Sequence, residues 1–351
     1  MKYKNTRIKN IYYMLSYAFT ALRQEEYAAL AAEDFEHMHD LFAAILAKGV
    51  GRQLKQGLYR TYVPRTEDLS TVRGRIDLSG TLHNRLARQC RITCAHDELS
   101  ENNPFNQILK TTLLLLLRHA EVDPAYQSVL KKELLFFDCV DTIFPVHIRW
   151  QALRFDRNND TYQLLMGLCQ LVLQGMLLTE QDGSYHLANF LDEQCMERLY
   201  EKFLLAFYAQ ECPQLTASAA QIHWALDDDE RTLLPTMQSD VTLSCGNRIL
   251  IIDAKLYAHT LQTQYDVSTQ HSTNLYQVFT YVKNKASQYA SQTHQVAGML
   301  LYAATDEAVQ PNQSYRMSGN IISVRTLNLD HPFTEIAQAL KNIATEFLGI
   351  P

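Results

Sequence analysis

Several features that would mark particular classes of protein are missing from this sequence. No apolar run reaches the ~18–20 residues that a membrane-spanning helix needs, and the strongest candidate, residues 111–117, fits a short buried helix. The seven cysteines are odd in number and scattered, which forms no disulfide framework and suits a reducing cytosol. A nucleotide-binding loop of the form Gly-x-x-x-x-Gly-Lys-Ser/Thr is also absent. We therefore expect a cytoplasmic protein with no membrane segment and no nucleotide site of its own.

A zinc site could be drawn from Cys90, Cys94, His83 and His96, which lie close together in the sequence. Their spacing matches no standard zinc pattern. We therefore favour ordinary apolar and surface roles for these four residues.

Charge is unevenly distributed along the 351 residues. The chain has 32 Lys and Arg against 38 Asp and Glu, a net charge of −6, which excludes a polybasic nucleic-acid binder. Between Arg52 and Arg91, however, nine basic residues face three acidic ones. This segment is either a solvated charged face or a basic surface for nucleic acid or an acidic partner.

The N-terminal half combines helical and short extended segments. Apolar spacing predicts a helical region from Ile11 to Leu46 that ends at Gly49 and Gly51. The expected strands and further helices are 57–64 (closed by Pro64), 72–78 and 90–94, followed by helices 108–119 and 162–178. We place a domain boundary after residue 185, so residues 1–185 form an N-terminal α+β domain.

The C-terminal half, residues 186–351, has the pattern of a mixed α/β sheet. The expected elements are a helix at 191–210, strands at 221–225, 237–243 and 249–254, a helix at 273–291, and strands at 296–303 and 321–327. A meander followed by a helical crossover implies a sheet with helices on its faces. The fold class is α/β, or α+β over the whole chain.

The most informative residues are two aspartates and a lysine around a predicted hairpin. Residues 244–247 read as a turn, so the segments on either side pair with each other. Asp253 and Lys255 are two apart and share one side of a strand, and Asp240 lies on the partner strand. The alternative is a surface salt bridge at the end of a strand.

This arrangement favours metal-assisted hydrolysis of a phosphodiester. Mg²⁺ prefers oxygen ligands, and Asp240, Asp253 and the carbonyl of Ala254 could supply them. A bound metal polarises the scissile phosphate and lowers the pKa of water. Lys255 would position that water or stabilise the developing charge.

An ordered series of motifs resembles the McrC family, the endonuclease subunits of McrBC modification-dependent restriction systems, which have the PD-(D/E)xK nuclease fold. The segments that carry the resemblance are Arg7–Ala18, Gly74–Asp77, Asn106–Lys110, Leu199–Leu204, Leu233–Asp240, Ile251–Lys255 and Asn274–Gln277. They cover nearly the whole chain. Ser239 stands where the superfamily name has a proline, a position on which catalysis does not depend.

The resemblance implies further site residues. Glu201 lies where many nucleases of this fold carry a glutamate that assists the metal, although an exposed helix acid is the alternative. Gln277 and Tyr281 form the Gln-x-x-x-Tyr pattern of RecB-like nucleases, and positions i and i+4 share a helix face. Both could point at the metal or the DNA backbone, or form a capping or core pair. His271 has no required role.

The resemblance also implies partners. An McrB-like AAA+ GTPase hexamer would hydrolyse GTP, read double-stranded DNA carrying modified cytosine such as 5-methylcytosine, and deliver it. The N-terminal domain would dock to that ring and stimulate its GTPase, with Arg73 and Arg75 as candidate contacts. Two alternatives are a GTPase-activating adaptor with a relic nuclease fold and a stand-alone RecB-like DNA nuclease.

Overall fold

A computed structural model describes residues 2–3, 6–24, 27, 29–33, 35, 37–120, 122–156, 159, 161–175, 190–228, 232–256, 261–264, 267–270, 272–289, 294–307 and 309–349. The chain divides into two units: an insert unit, Ala43–Leu173, and a split unit, which joins Met1–Phe42 to Gln174–Pro351. Residues 1–42 therefore group with the C-terminal part of the chain. The boundary expected after residue 185 falls within 176–189, outside the described residues, so the division at that point stays a prediction.

The secondary structure alternates between helical and extended segments in both units. In chain order, the described α-helices are α1 (Ile8–Ala18), α2 (Met38–Gln56), α3 (Leu78–Leu86), α4 (Pro104–Arg118), α5 (Pro124–Leu134), α6 (Tyr162–Gly175), α7 (Phe190–Glu211), α8 (Ser272–Ser287) and α9 (Phe333–Leu348). The described strands are β1 (Lys2–Tyr3), β2 (Thr6–Arg7), β3 (Thr61–Leu69), β4 (Arg75–Ile76), β5 (Ile92–Ser100), β6 (Thr216–Ser218), β7 (Gln221–Ile222), β8 (Met237–Gln238), β9 (Val241–Cys245), β10 (Arg248–Lys255), β11 (Leu261–Gln264), β12 (Val267–Gln270), β13 (Gln295–Ala303), β14 (Gln313–Met317) and β15 (Asn320–Leu327). Across the described part of the chain, every helix is too short or too polar to cross a bilayer.

The split unit is built on a six-stranded sheet in the order β14-β15-β13-β10-β9-β6. Strands β10, β13 and β15 run parallel, while β9 and β14 are antiparallel to their neighbours. The predicted mixed α/β sheet is thus confirmed, including the hairpin between β9 and β10. The predicted strand 237–243 is interrupted, because β8 pairs with β7 in a separate ladder and β9 begins only at Val241.

Helix α8 lies unusually close to the sheet. Gly298 in β13 has no side chain, and a Cβ there would come within 2.6 Å of Val282 Cγ2 and 2.9 Å of Val278 Cγ2. Both valines belong to a buried cluster that includes Ile249 and Ile251 of β10. The small residue therefore lets the helix pack directly on β10 and β13.

Helix α1 belongs to the split unit through contacts with residues far along the chain. Asn10 Nδ2 donates hydrogen bonds to the carbonyls of Leu329 at 2.7 Å and His331 at 2.8 Å. Arg7 pairs with Asp330 at 3.2 Å. The predicted helical region Ile11–Leu46 is divided, since α1 ends at Ala18 and α2 begins at Met38.

Two further expectations are corrected at α2 and in the insert unit. Helix α2 continues through Gly49 and Gly51, and a Cβ at Gly51 would lie 3.1 Å from Glu133 Oε1, so glycine there permits close helix packing. Pro64 lies inside β3 opposite Asp97 and does not close the strand. That position is tolerated because β3 is an edge strand of the β3-β5-β4 sheet.

Candidate active site

The site begins where the β9–β10 hairpin ends. Tight reversal is possible because Gly246 adopts φ +56°, and the ladder runs from Cys245–Arg248 to Val241–Ile252. Asp240 lies one residue beyond the last pair. Its Oδ2 accepts a hydrogen bond from the backbone N–H of Ala254 at 2.8 Å, so the carboxylate replaces the next ladder contact.

Asp253 and Lys255 form a buried ion pair at the end of β10. Lys255 Nζ lies 2.9 Å from Asp253 Oδ2, and the two residues are 9% and 1% exposed. Two-residue alternation along a strand puts both side chains on one side, as the sequence predicts. The structure therefore brings Asp240, Asp253 and Lys255 together. The backbone N–H of Ala254, which lies between Asp253 and Lys255 in the strand, holds Asp240 in place.

Glu201 on α7 is electrostatically coupled to this group. Burial, followed by the negative charge of Asp240, raises the pKa of Glu201 to about 7. Glu197, one helical turn earlier, also acts on Glu201 and on Asp253. Sequence reasoning missed Glu197, although the spacing of four residues on one helix face was a signal that could have found it.

Burial also raises the pKa of both aspartates. Burial is the largest cause that raises the pKa of Asp253 to about 6, and Lys255 opposes it. Burial likewise raises the pKa of Asp240, against the effects of the Ala254 N–H and Lys255. The carboxyl groups outnumber the single ammonium group of Lys255, so the cluster has less positive than negative charge when the carboxyl groups are ionised.

That shortage of positive charge fits a hard divalent cation. No three His, Cys, Asp or Glu side chains in the described ranges are placed to hold a metal together. Mg²⁺, however, is commonly bound by one or two carboxylates, with water and substrate phosphate completing its shell. Each aspartate makes its described contact through Oδ2, with the Ala254 N–H for Asp240 and with Lys255 Nζ for Asp253. Asp240, Asp253 and the Ala254 carbonyl therefore form a donor set compatible with Mg²⁺.

Gln277 and Tyr281 contact each other on α8. Gln277 Nε2 donates to Tyr281 Oη at 2.9 Å, and the Tyr281 ring lies in the buried cluster between α8 and the sheet. This geometry matches the core-pair alternative for the two residues, and their role at the metal or DNA stays a prediction. His271 lies outside the described residues.

Arg73 and Arg75 lie in the insert unit, on either side of Gly74. Both are exposed, and Gly74 adopts φ +70°, where a Cβ would come within 2.5 Å of the Ala95 carbonyl oxygen. The backbone N–H of Arg73 contacts Cys94 Sγ at 3.5 Å. Cys94 is buried and Cys90 is exposed. A zinc site at these cysteines finds no support in the part of the chain that the structure describes.

Comparison with known proteins identifies the family. A family model described as "McrBC 5-methylcytosine restriction system component" matches residues 2–303. The chain belongs to this McrBC family. It is similar to the "Type IV methyl-directed restriction enzyme EcoKMcrBC" of Escherichia coli (strain K12), with 27% identity over 345 residues, which is 97% of this chain and 98% of that protein. The McrC-like resemblance is thereby confirmed, and the chain is a component of a restriction system.

Two solved structures of McrBC assemblies also match the chain. One is a "refined half-complex from tetradecameric assembly of Thermococcus gammatolerans McrB AAA+ hexamers with bound McrC", with 17% identity, a TM-score of 0.49, and coverage of 94% of this chain and 76% of that one. The other is the cryo-EM structure of the Thermococcus gammatolerans McrBC complex, with 18% identity, a TM-score of 0.43, and coverage of 58% and 59%.

Proposed function

We propose that this chain is the DNA-cleaving subunit of its restriction system and hydrolyses phosphodiester bonds with Mg²⁺ at the end of β10. The observation that carries the proposal is the convergence of Asp240, Asp253 and Lys255, with Asp240 held by the main chain of Ala254. This is the arrangement expected of a PD-(D/E)xK nuclease. Membership of the McrBC family supplies independent support.

Each group in the cluster has a distinct role in this mechanism. Asp240, Asp253 and the Ala254 carbonyl would hold the Mg²⁺, which when bound polarises the phosphate and acidifies water. Lys255 directs its ammonium group into a buried site, where it orients the attacking water and stabilises charge that develops on the phosphate. Glu201 would complete the site from α7, and burial together with the negative charge of Asp240 raises its pKa.

We further propose that an AAA+ GTPase partner of the McrB type binds this chain, reads modified cytosine such as 5-methylcytosine, and delivers double-stranded DNA. Family membership supports this division of labour, and the N-terminal region with Arg73 and Arg75 would be the docking part. The nuclease half has few cations to hold DNA by itself. Lys283, one of two Lys/Arg residues between 256 and 300, already donates to the Ser318 carbonyl at 3.0 Å.

Cleavage assays on methylated duplex DNA with GTP and the GTPase partner test the proposal. Asp253→Asn should lower Mg²⁺-dependent cleavage at least ~100-fold, because it removes a metal ligand and half of the ion pair. Stimulation of the partner's GTPase should be unchanged. Asp227→Asn is the matched control, since Asp227 is an exposed aspartate in the same unit.

The same assays separate the two alternatives. Cleavage by Asp253→Asn at a rate within a few-fold of the unmodified chain would contradict the site, and GTPase stimulation without any cleavage by the unmodified chain would favour the adaptor. Cleavage of unmodified duplex by the chain alone, at sub-micromolar concentration and ~150 mM salt, would favour the stand-alone nuclease, because few phosphate contacts predict non-specific affinity of ~10⁻⁴–10⁻⁶ M.

A further inference from the structure

Helix α3 in the insert unit exposes its leucines. Leu78, Leu82 and Leu86 are 78%, 60% and 77% exposed. They recur every four residues, so they form one stripe along the helix, about 12 Å from end to end at 1.5 Å per residue. A helix of a globular protein normally turns such a stripe toward the core.

The opposite, polar face of α3 packs on strand β5. Asn84 is buried, and its Nδ2 donates to Asp68 Oδ1 at 2.6 Å and to Thr93 Oγ1 at 3.0 Å. Thr81 Oγ1 accepts from the Thr93 N–H at 3.0 Å. The hydrogen bonds from Thr93 and Asn84 lower the pKa of Asp68, which keeps this acceptor ionised.

A glycine fixes the same orientation sterically. A Cβ at Gly80 would lie 2.6–2.7 Å from three side-chain atoms of Thr93. The backbone of α3 therefore approaches β5 on the side of the helix that carries Gly80 and Asn84. Side-chain hydrogen bonds and close packing both hold the leucine stripe outward, so its exposure is built into the fold.

The surroundings of the stripe are basic. Arg85 is three residues after Leu82, and His83 is three residues before Leu86, so both border the stripe on the helix surface. Arg73, Arg75 and Arg88 are also exposed in the same segment. Exposed arginines alone would suit nucleic acid, whose phosphates make no use of apolar side chains. Exposed leucines beside them instead favour a protein partner, because a groove on a protein can bury apolar side chains.

We propose that the leucine stripe of α3 is a protein-docking surface, and that its occupant is an apolar groove bordered by carboxylates on the GTPase partner. This inference rests on the proposed function, because it takes the partner from there. Leucines supply the buried centre of the contact, and the arginines around them select an acidic border. The surface comes in addition to Arg73 and Arg75, and it explains why a unit with a basic face also carries an apolar one.

The test uses the full chain with Leu82→Ser, and separately Arg85→Glu, in titrations against the GTPase partner. Leu82→Ser should weaken partner binding at least ~10-fold at every salt concentration, while Arg85→Glu should weaken it most at low salt. Neither variant should lower the melting temperature, since both side chains are exposed. Leu135→Ser is the matched control, because Leu135 is 69% exposed in the same unit.

Other results would overturn the inference. If the unmodified chain binds the partner and Leu82→Ser binds equally well, the docking surface is wrong and the proposed function stands. If the unmodified chain does not bind the partner, the proposed partnership itself fails. Light scattering and DNA titration complete the test: loss of self-association or of DNA affinity in Leu82→Ser, with partner binding unchanged, would assign the stripe to a second copy or to DNA.

Discussion

The two units treat charged and apolar side chains in opposite ways. In the split unit, Asp253 and Lys255 are almost fully buried at the end of a central strand. The insert unit has the shorter sequence, yet it contains 13 of the 19 large hydrophobic residues that are exposed in the described chain. One unit buries charge where a reaction is proposed, and the other exposes apolar surface where a contact is proposed.

Both departures from ordinary burial carry a stability cost, and each is held by specific local structure. Buried carboxylates need partners, and in the split unit Lys255 pairs with Asp253 while the Ala254 N–H donates to Asp240. An outward leucine stripe needs an inward polar face, and the bonds among Asn84, Thr93 and Asp68 supply it in the insert unit. In both units the proposed functional residues stand out by their unusual burial or exposure, which composition alone does not reveal.

The largest effect is expected when the buried ion pair between Asp253 and Lys255 in the split unit is broken. Lys255→Met should lower the free energy of unfolding by about 2–4 kcal/mol, because it leaves Asp253 buried without its cation. The Asp253→Asn, Lys255→Met double variant should recover more than half of that loss. Urea denaturation measures both, and a double variant no more stable than Lys255→Met would contradict the account.

A second prediction concerns the packing of α3 in the insert unit. Gly80→Ala should destabilise the chain by about 1–2 kcal/mol, because its methyl group would overlap Thr93 even though alanine favours helix. Ser79→Ala, at the exposed neighbouring position, is the control and should be neutral. Equal stability of the two variants in thermal unfolding would show that α3 does not pack as closely as described.

The smallest expected effect concerns Glu133, a carboxyl group that is buried in the insert unit. Glu133 Oε2 has no hydrogen-bond partner in the described structure, and burial raises the pKa of Glu133 to about 8 from 4.5. The folded state then binds more protons than the unfolded state between these values, so stability should fall as the pH rises through that window.

Glu133→Gln removes this titration and should flatten the dependence. At pH 8 it should stabilise the chain by about 1 kcal/mol, since an unpaired buried charge is no longer formed. Melting temperatures of both proteins from pH 5 to pH 8.5 measure the effect. Parallel curves would show that Glu133 is solvated and contributes nothing to the pH dependence.

Local pattern was sufficient to predict that Asp253 and Lys255 lie side by side and to predict the long elements of the split unit. The run Ile249–Ile252 with a turn before it defines β10 and the hairpin, and the two-residue spacing then places Asp253 beside Lys255. Helix α7 was expected at 191–210 and spans Phe190–Glu211. These features depend on neighbours in sequence, which a periodic pattern records.

The helices of the insert unit were harder to predict from the sequence, because tertiary contacts determine where they form and which face they bury. Leu78, Leu82 and Leu86 have helical spacing, but the expectation there was a strand over residues 72–78 and no helix. Helix α3 forms through contacts with Thr93 on β5, and no local pattern shows which face will be buried. Helix α2 continues through Gly49 and Gly51 despite the low helix propensity of glycine, and at Gly51 the missing side chain leaves room for Glu133, a contact that no local pattern shows.

The placement of α1 has a consequence for how the chain is made. Asn10 donates to the Leu329 carbonyl across 319 residues of sequence, so a segment near the start of the split unit meets partners near its end. At ~5–20 residues per second, a ribosome needs about 15–60 s to bridge that interval. The insert unit is continuous in sequence, so it can fold before the C-terminal part of the split unit has been synthesised. The sheet of the split unit is therefore completed last, and a truncated translation product would carry a folded insert unit without a complete split unit.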